Sequence, residues 1–72
     1  MKYETHLGLM KVRELLKRYS VIVYTGNALD EIVMMDMELT DLFEGRVIEQ
    51  EEFKELKIVL RQAYKEAGGE ES

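Results

Sequence analysis

The chain has 72 residues, of which 46% are hydrophobic and 35% charged, with a formal net charge of -5 and neither cysteine nor proline. This length allows one small domain with a compact core, and a chain without cysteine has no disulfide and no thiolate metal site. Residues 1–8 contain one lysine and no apolar run, and no apolar stretch approaches the roughly 18 residues that cross a bilayer, so we expect a cytoplasmic protein without a membrane partner.

The charges are distributed unevenly along the chain. Residues 1–24 contain five basic and two acidic side chains, residues 25–52 contain one basic and nine acidic, and residues 53–72 contain four of each. The average charge argues against nucleic acid as a partner, whereas the basic first third leaves such a partner open.

The first element is predicted to be an amphipathic helix over about residues 8–19, with Gly8 and Thr5 as candidates for its start. Its apolar residues recur at helical spacing on one predicted buried face. They are Leu9, Val12, Leu15, Leu16 and Tyr19.

The segment YSVIVYTGN, residues 19–27, is the only part of the chain that resembles a strand. Val21, Ile22 and Val23 favour extended backbone, but a single strand is not stable alone. Either it lies across the bundle as an extended apolar connection between the first two helices, which we favour, or it pairs with its symmetry mate in a dimer. The turn that follows predicts a positive φ at Gly26 and a helix N-cap at Asn27.

The second helix is predicted over about residues 28–44, ending at Gly45 in the left-handed conformation. Its buried stripe is predicted to be Ile32, Met35, Leu39, Leu42 and Phe43. Its acids are predicted to face water, namely Asp30, Glu31, Glu38, Asp41 and Glu44. Asp36 lies at the edge of the stripe, and we favour a side chain that reaches water over an ion pair with a neighbouring helix.

The third helix is predicted over about residues 49–65, followed by a flexible tail over 66–72. Its buried face is predicted to be Phe53, Leu56, Leu60, Ala63 and Tyr64. Ile48 and Phe53 can form a hydrophobic staple if Glu49 is the N-cap. Three such helices predict an all-α fold, a single-domain three-helix bundle.

No enzymatic or metal site is indicated by the sequence. His6 is the only histidine and has no cysteine or second histidine at ligand spacing. Nothing in the spacing of the carboxylates indicates a pair with separated pKa values. We therefore expect a non-enzymatic protein with no catalytic residue, no metal and no cofactor.

Basic residues on the first and third helices predict a binding surface for single-stranded nucleic acid, DNA or RNA. The predicted phosphate contacts are Lys11, Arg13, Lys17, Arg18, Lys57 and Arg61. Tyr24 is predicted to stack a base.

An alternative function is protein–protein interaction or self-association through apolar residues outside the predicted core. They are Leu29, Val33, Met34, Met37 and Ile58, together with the segment Val21, Ile22 and Val23.

The motifs ELLKRYSVIVYTGN, MELTDLFEGRVIE and FKELKIVLRQAYKE, in this order over residues 10–66, resemble the YqgQ family of small proteins from Gram-positive bacteria. The resemblance implies a cytoplasmic three-helix bundle, and a role in binding single-stranded nucleic acid has been suggested for this family. The chain departs from the family pattern at Ser20, where a helix-ending glycine would be natural, and in its acidic middle.

Overall fold

The computed structural model describes residues 5–69. It contains three helices: α1 (Thr5–Arg18), α2 (Ala28–Glu44) and α3 (Gln50–Glu66). Each helix packs against the other two, which confirms the predicted three-helix bundle. None of the helices within residues 5–69 is both long and apolar enough to span a membrane.

All three helices and both connections contribute to the core. Its buried apolar residues are Val12, Leu15 and Leu16 from α1, Ile32, Met35 and Leu39 from α2, Leu56, Val59, Leu60 and Ala63 from α3, and Val23 and Ile48 from the connections. Tyr19, predicted to be buried, is exposed instead, because α1 ends at Arg18 and the chain leaves the helical path there.

Gly8 lies inside α1, which is helical from Thr5, rather than at its start. A Cβ atom on Gly8 would lie 2.6 Å from Val59 Cγ1, closer than any ordinary contact. The missing side chain therefore allows α1 and α3 to approach each other.

The helices do not alternate in direction. Arg13 contacts Glu31, and Leu16 lines the same concavity as Met35, so α1 and α2 run in the same direction. Phe43 stacks on Phe53 near the short second connection, which makes α2 and α3 antiparallel.

The extended segment between α1 and α2 is what allows their parallel arrangement. Nine extended residues reach about 30 Å, and α1, with 14 residues, is about 21 Å long. The segment can therefore return the chain along α1 before α2 begins. Val23 is buried and Val21 half-buried, whereas Ile22 and Tyr24 are 80% and 83% exposed. The segment thus lies across its own bundle, as the favoured interpretation predicts.

α1 ends in a Schellman motif centred on Ser20. The Ser20 N–H donates to the Lys17 carbonyl at 2.9 Å, and the Val21 N–H donates to the Leu16 carbonyl at 3.0 Å. Ser20 has φ of 67°. This is the left-handed position at which the family resemblance led us to expect glycine.

The bounds of α2 agree with the prediction, but the left-handed residue after it lies one position later than predicted. Gly45 has φ of -79°, and the left-handed residue is Arg46, with φ of 62°. The reason is that α2 remains helical through Glu44, so Gly45 is the cap and Arg46 is the first residue outside the helix.

The remaining helix ends agree largely with the predictions. Gly26 has φ of 82°, and Asn27 Oδ1 accepts a hydrogen bond from the Asp30 N–H at 3.0 Å. Glu49 precedes α3 without a side-chain cap, and Ile48 is buried. Residues 66–69, predicted to belong to a flexible tail, lie instead at the end of α3, which includes Glu66, and in the turn that follows it. Residues 70–72 lie outside the described residues.

Candidate functional site

Arg13, predicted to contact phosphate, is engaged within the protein. Its Nη2 donates to Glu31 Oε1 at 2.6 Å, and its Nη1 donates to the Val23 carbonyl at 2.9 Å. The guanidinium therefore joins α1 to both α2 and the connection.

Glu31 was predicted to face water and is instead buried. Its second oxygen, Oε2, accepts hydrogen bonds from the Thr25 N–H at 3.1 Å and the Gly26 N–H at 3.0 Å. The hydrogen bond from Arg13, followed by those from the two backbone N–H groups, lowers the pKa of Glu31 against the opposing effect of burial. The ionised carboxylate thus holds the connection in place.

A sequence signal for the buried Glu31 existed. Glu31 precedes Met35 by four residues and Leu39 by eight, and both are fully buried. Residues at this spacing share one face of a helix, so the helical wheel already placed Glu31 toward the core. Its partner Arg13 and the backbone N–H groups could not be identified in this way.

Lys57, also a predicted phosphate contact, forms an ion pair with Asp36. Lys57 Nζ lies 2.5 Å from Asp36 Oδ1 and 5.6 Å from the centroid of the Phe53 ring. The prediction that Asp36 only reaches water is therefore wrong. The antiparallel packing of α2 and α3 places the two side chains at the same level.

Lys11 and Arg18 line a groove between α1 and α3. The groove has a volume of about 560 Å³, and acids of both helices line it, namely Glu14, Glu52 and Glu55. The cations of this groove therefore face a mixed-charge surface.

Arg61 lies on a different part of α3. Together with Lys54, Lys57 and Ile58 it lines a concavity formed by α3 residues, and of these four Lys57 pairs with α2. The structure therefore does not join the basic residues of α1 and those of α3 into one surface.

Lys17 lines a concavity between α1 and the connection. Its volume is about 260 Å³, and Val21, Ile22 and Met35 contribute to its apolar lining. Lys17 and Arg18 are exposed and make no ion pair with any residue in the range 5–69. Tyr24 follows on the outward side of the same segment. Of the predicted site residues, Lys17, Arg18 and Tyr24 are thus the exposed ones at the end of α1 and in the connection that follows it.

In the described part of the chain, no group of three or more histidine, cysteine or acidic side chains is placed to hold a metal ion.

The chain matches one family of known proteins. A family model described as YqgQ-like matches residues 8–66, a range that includes nearly all of α1 and the whole of α2 and α3. No curated protein and no solved structure matches the chain.

Proposed function

The chain belongs to the YqgQ-like family, and from this premise and the surface at the end of α1 we propose that it is a non-enzymatic module that binds single-stranded DNA or RNA. We also propose that the protein is cytoplasmic. The binding surface consists of Lys17, Arg18 and Tyr24 and is here called the α1 surface.

The exposure of Tyr24 is the observation that carries the proposal. A tyrosine that is 83% exposed has a ring available to stack on a base, a contact that single-strand binding proteins use. The neighbouring Val23 is buried, and Glu31 binds the N–H groups of Thr25 and Gly26. The backbone on both sides of Tyr24 is therefore fixed while its ring remains free.

The charge at the end of α1 suits a phosphate backbone. Lys17 and Arg18 are exposed at the end of α1, and their ammonium and guanidinium groups can each replace counterions on a strand. Arg13 and Lys57, which are held in ion pairs, contribute less. A single strand fits better than a duplex, because only unpaired bases can turn onto the Tyr24 ring.

The test is a titration of fluorescent single-stranded oligonucleotides at several salt concentrations. The logarithm of the affinity is expected to fall with the logarithm of salt concentration at a slope of about -0.7 per phosphate contact. The Lys17→Glu, Arg18→Glu variant should lose binding. Tyr24→Ala should weaken binding by roughly 1–3 kcal/mol, and Tyr24→Phe should retain it.

A matched control separates a local site from a general effect of charge. Arg46→Glu reverses one charge outside the α1 surface, as Lys17→Glu does within it, and should bind nearly as well as wild type, whereas Lys17→Glu should bind more weakly. Equal losses in both charge-reversal variants, or no binding by wild type at low salt, would contradict the proposal.

A second candidate function is association with a protein. Large apolar side chains are exposed on α2 and α3, among them Val33, Met34, Met37 and Ile58. In a chain of 72 residues such a group is typical of an interaction surface.

A further inference from the structure

The outward side of α2 carries a strip of acidic and apolar residues, here called the acidic strip. Its members recur at spacings of three or four residues, so they share one side of the helix. They are Asp30, Val33, Met37, Asp41 and Glu44, and all are exposed. The apolar members Val33 and Met37 are 43% and 62% exposed.

The outward side of α3 carries a strip of the same spacing and the opposite charge, here called the basic strip. Its members are Lys54, Ile58, Arg61 and Lys65, and all are exposed. Ile58, its apolar member, is 53% exposed. Each strip therefore combines exposed apolar side chains with charges of a single sign.

Contacts between α2 and α3 fix the relative levels of the two strips. Asp36 meets Lys57 at mid-height. Farther from the connecting loop, Leu29 and Tyr64 both come within 2.7 Å of where a Cβ of Gly69 would lie. With α2 and α3 aligned in this way, Met37 lies at about the same height along the bundle as Ile58. Asp30 then lies near the level of Lys65.

We propose that the face formed by α2 and α3 binds a second copy of this chain, with the acidic strip of each protomer on the basic strip of its partner. This inference rests on the second candidate function and names its partner. The symmetric dimer has a twofold axis parallel to the helices, so the contact between the two strips occurs twice.

Charge selects this axis over the alternative. A twofold axis perpendicular to the helices would place α2 on α2, with acids facing acids, and like charges across an interface cost several kcal/mol. A twofold axis parallel to the helices instead places α2 of one protomer opposite α3 of the other. Residues at the same height along the two helices then lie opposite each other across the interface. Asp30 then meets Lys65 of the partner subunit, and Met37 meets the partner's Ile58.

The extended segment does not supply this interface. Val23 is buried and Val21 half-buried against their own bundle, which leaves Ile22 as the exposed member of the three residues. The apolar side chains at mid-height of the α2–α3 face are instead Met37 and Ile58.

The test uses complementary charge reversals and sedimentation equilibrium over a range of protein concentrations. The first variant carries Lys54→Glu and Arg61→Glu, and the second carries Asp41→Lys and Glu44→Lys. Each alone has like charges on both strips, so its self-association should weaken by at least about tenfold. An equimolar mixture should form a heterodimer, because each acidic strip again meets a basic one.

The outcomes separate this inference from the candidate function on which it rests. A wild-type monomer at every concentration overturns the inference and leaves the candidate function of association with a different protein untouched. Dimers that persist in both variants, or variants that stay monomeric when mixed, overturn the proposed pairing of strips.

A second measurement does not depend on the folding of the charge variants. The chain has no cysteine, so Met37→Cys, Ile58→Cys and Leu7→Cys each introduce a single thiol. On oxidation, an equimolar mixture of Met37→Cys and Ile58→Cys should form a disulfide-linked heterodimer, whereas a mixture of Met37→Cys and Leu7→Cys, whose thiol lies in the α1–α3 groove, should not. Equal amounts of linked heterodimer in the two mixtures would overturn the inference.

Discussion

Ser20 and Arg46 hold left-handed backbone conformations with φ of 67° and 62°. Such a conformation costs a residue with a Cβ atom roughly 1–2 kcal/mol. Replacement by glycine removes this cost, but part of the gain in stability is offset because glycine has more conformational freedom in the unfolded chain. We expect Ser20→Gly to raise the free energy of unfolding by about 1 kcal/mol. Thermal unfolding should show an increase in Tm of roughly 4–8 °C.

Gly26→Ala provides the matched opposite change. Gly26 has φ of 82°, and a Cβ there would meet nothing within 4 Å, so any loss of stability reflects the backbone alone. A decrease in Tm for Gly26→Ala and an increase for Ser20→Gly are expected together. If Ser20→Gly lowered the Tm, the Ser20 side chain would have to contribute more than its backbone conformation costs.

Single residues were predictable where their role is local. Asn27 caps α2 through an atom three residues away, and the Gly26 conformation follows from the turn before it. Gly45 was placed incorrectly because the left-handed position depends on which residue ends α2. Gly8 was interpreted as a helix start because its contact with Val59 depends on another helix.

The element most dependent on a single side chain is the connection between α1 and α2. Its backbone is bound by Glu31 at Thr25 and Gly26, and by Arg13 at Val23. Because the folded protein lowers the pKa of Glu31, the ionised carboxylate stabilises the fold. This contribution is complete above the ordinary glutamate pKa of 4.5 and is lost as the pH falls through the lower folded-state pKa.

We therefore expect Glu31→Gln to lower the Tm at neutral pH and to have a progressively smaller effect below pH 4.5. Thermal unfolding followed by circular dichroism across this pH range provides the measurement. Glu44→Gln, a change of the same kind at an exposed site on α2, should leave the Tm nearly unchanged. A Glu31→Gln effect that stayed constant to the lowest pH would show that the charge of Glu31 does not stabilise the connection.

The helices themselves were predictable because each carries an apolar stripe of period 3.6. The stripes did not reveal the directions of the helices, since a stripe identifies a buried face and not the neighbour that covers it. The nine residues from 19 to 27 did carry a signal, because an antiparallel pair of helices needs a shorter connection. Their β-branched residues form the extended return path that a parallel α1 and α2 require.

At the scale of the whole molecule, charge is divided among the flanks of the helices. α3 presents Glu52 and Glu55 to the groove that it shares with the basic α1, and presents Lys57 to Asp36 of α2. The sequence showed a basic and an acidic block, and we predicted one basic surface across α1 and α3. That surface is divided because acidic residues of one helix lie opposite basic residues of its neighbour. The distribution of charge along the sequence does not reveal which helix faces are neighbours.

The α1 surface and the α2–α3 face lie on different parts of the molecule, so the dimer that we propose would bind nucleic acid through both protomers. The Lys54→Glu, Arg61→Glu variant, which weakens the dimer, should bind a short oligonucleotide that occupies one α1 surface as tightly as wild type does. A longer oligonucleotide that reaches both α1 surfaces should bind this variant more weakly, because the second contact is no longer intramolecular. Fluorescence titration with oligonucleotides of increasing length at one fixed salt concentration measures both effects. A loss of affinity for the short strand would instead place Arg61 and the basic flank of α3 within the nucleic-acid site.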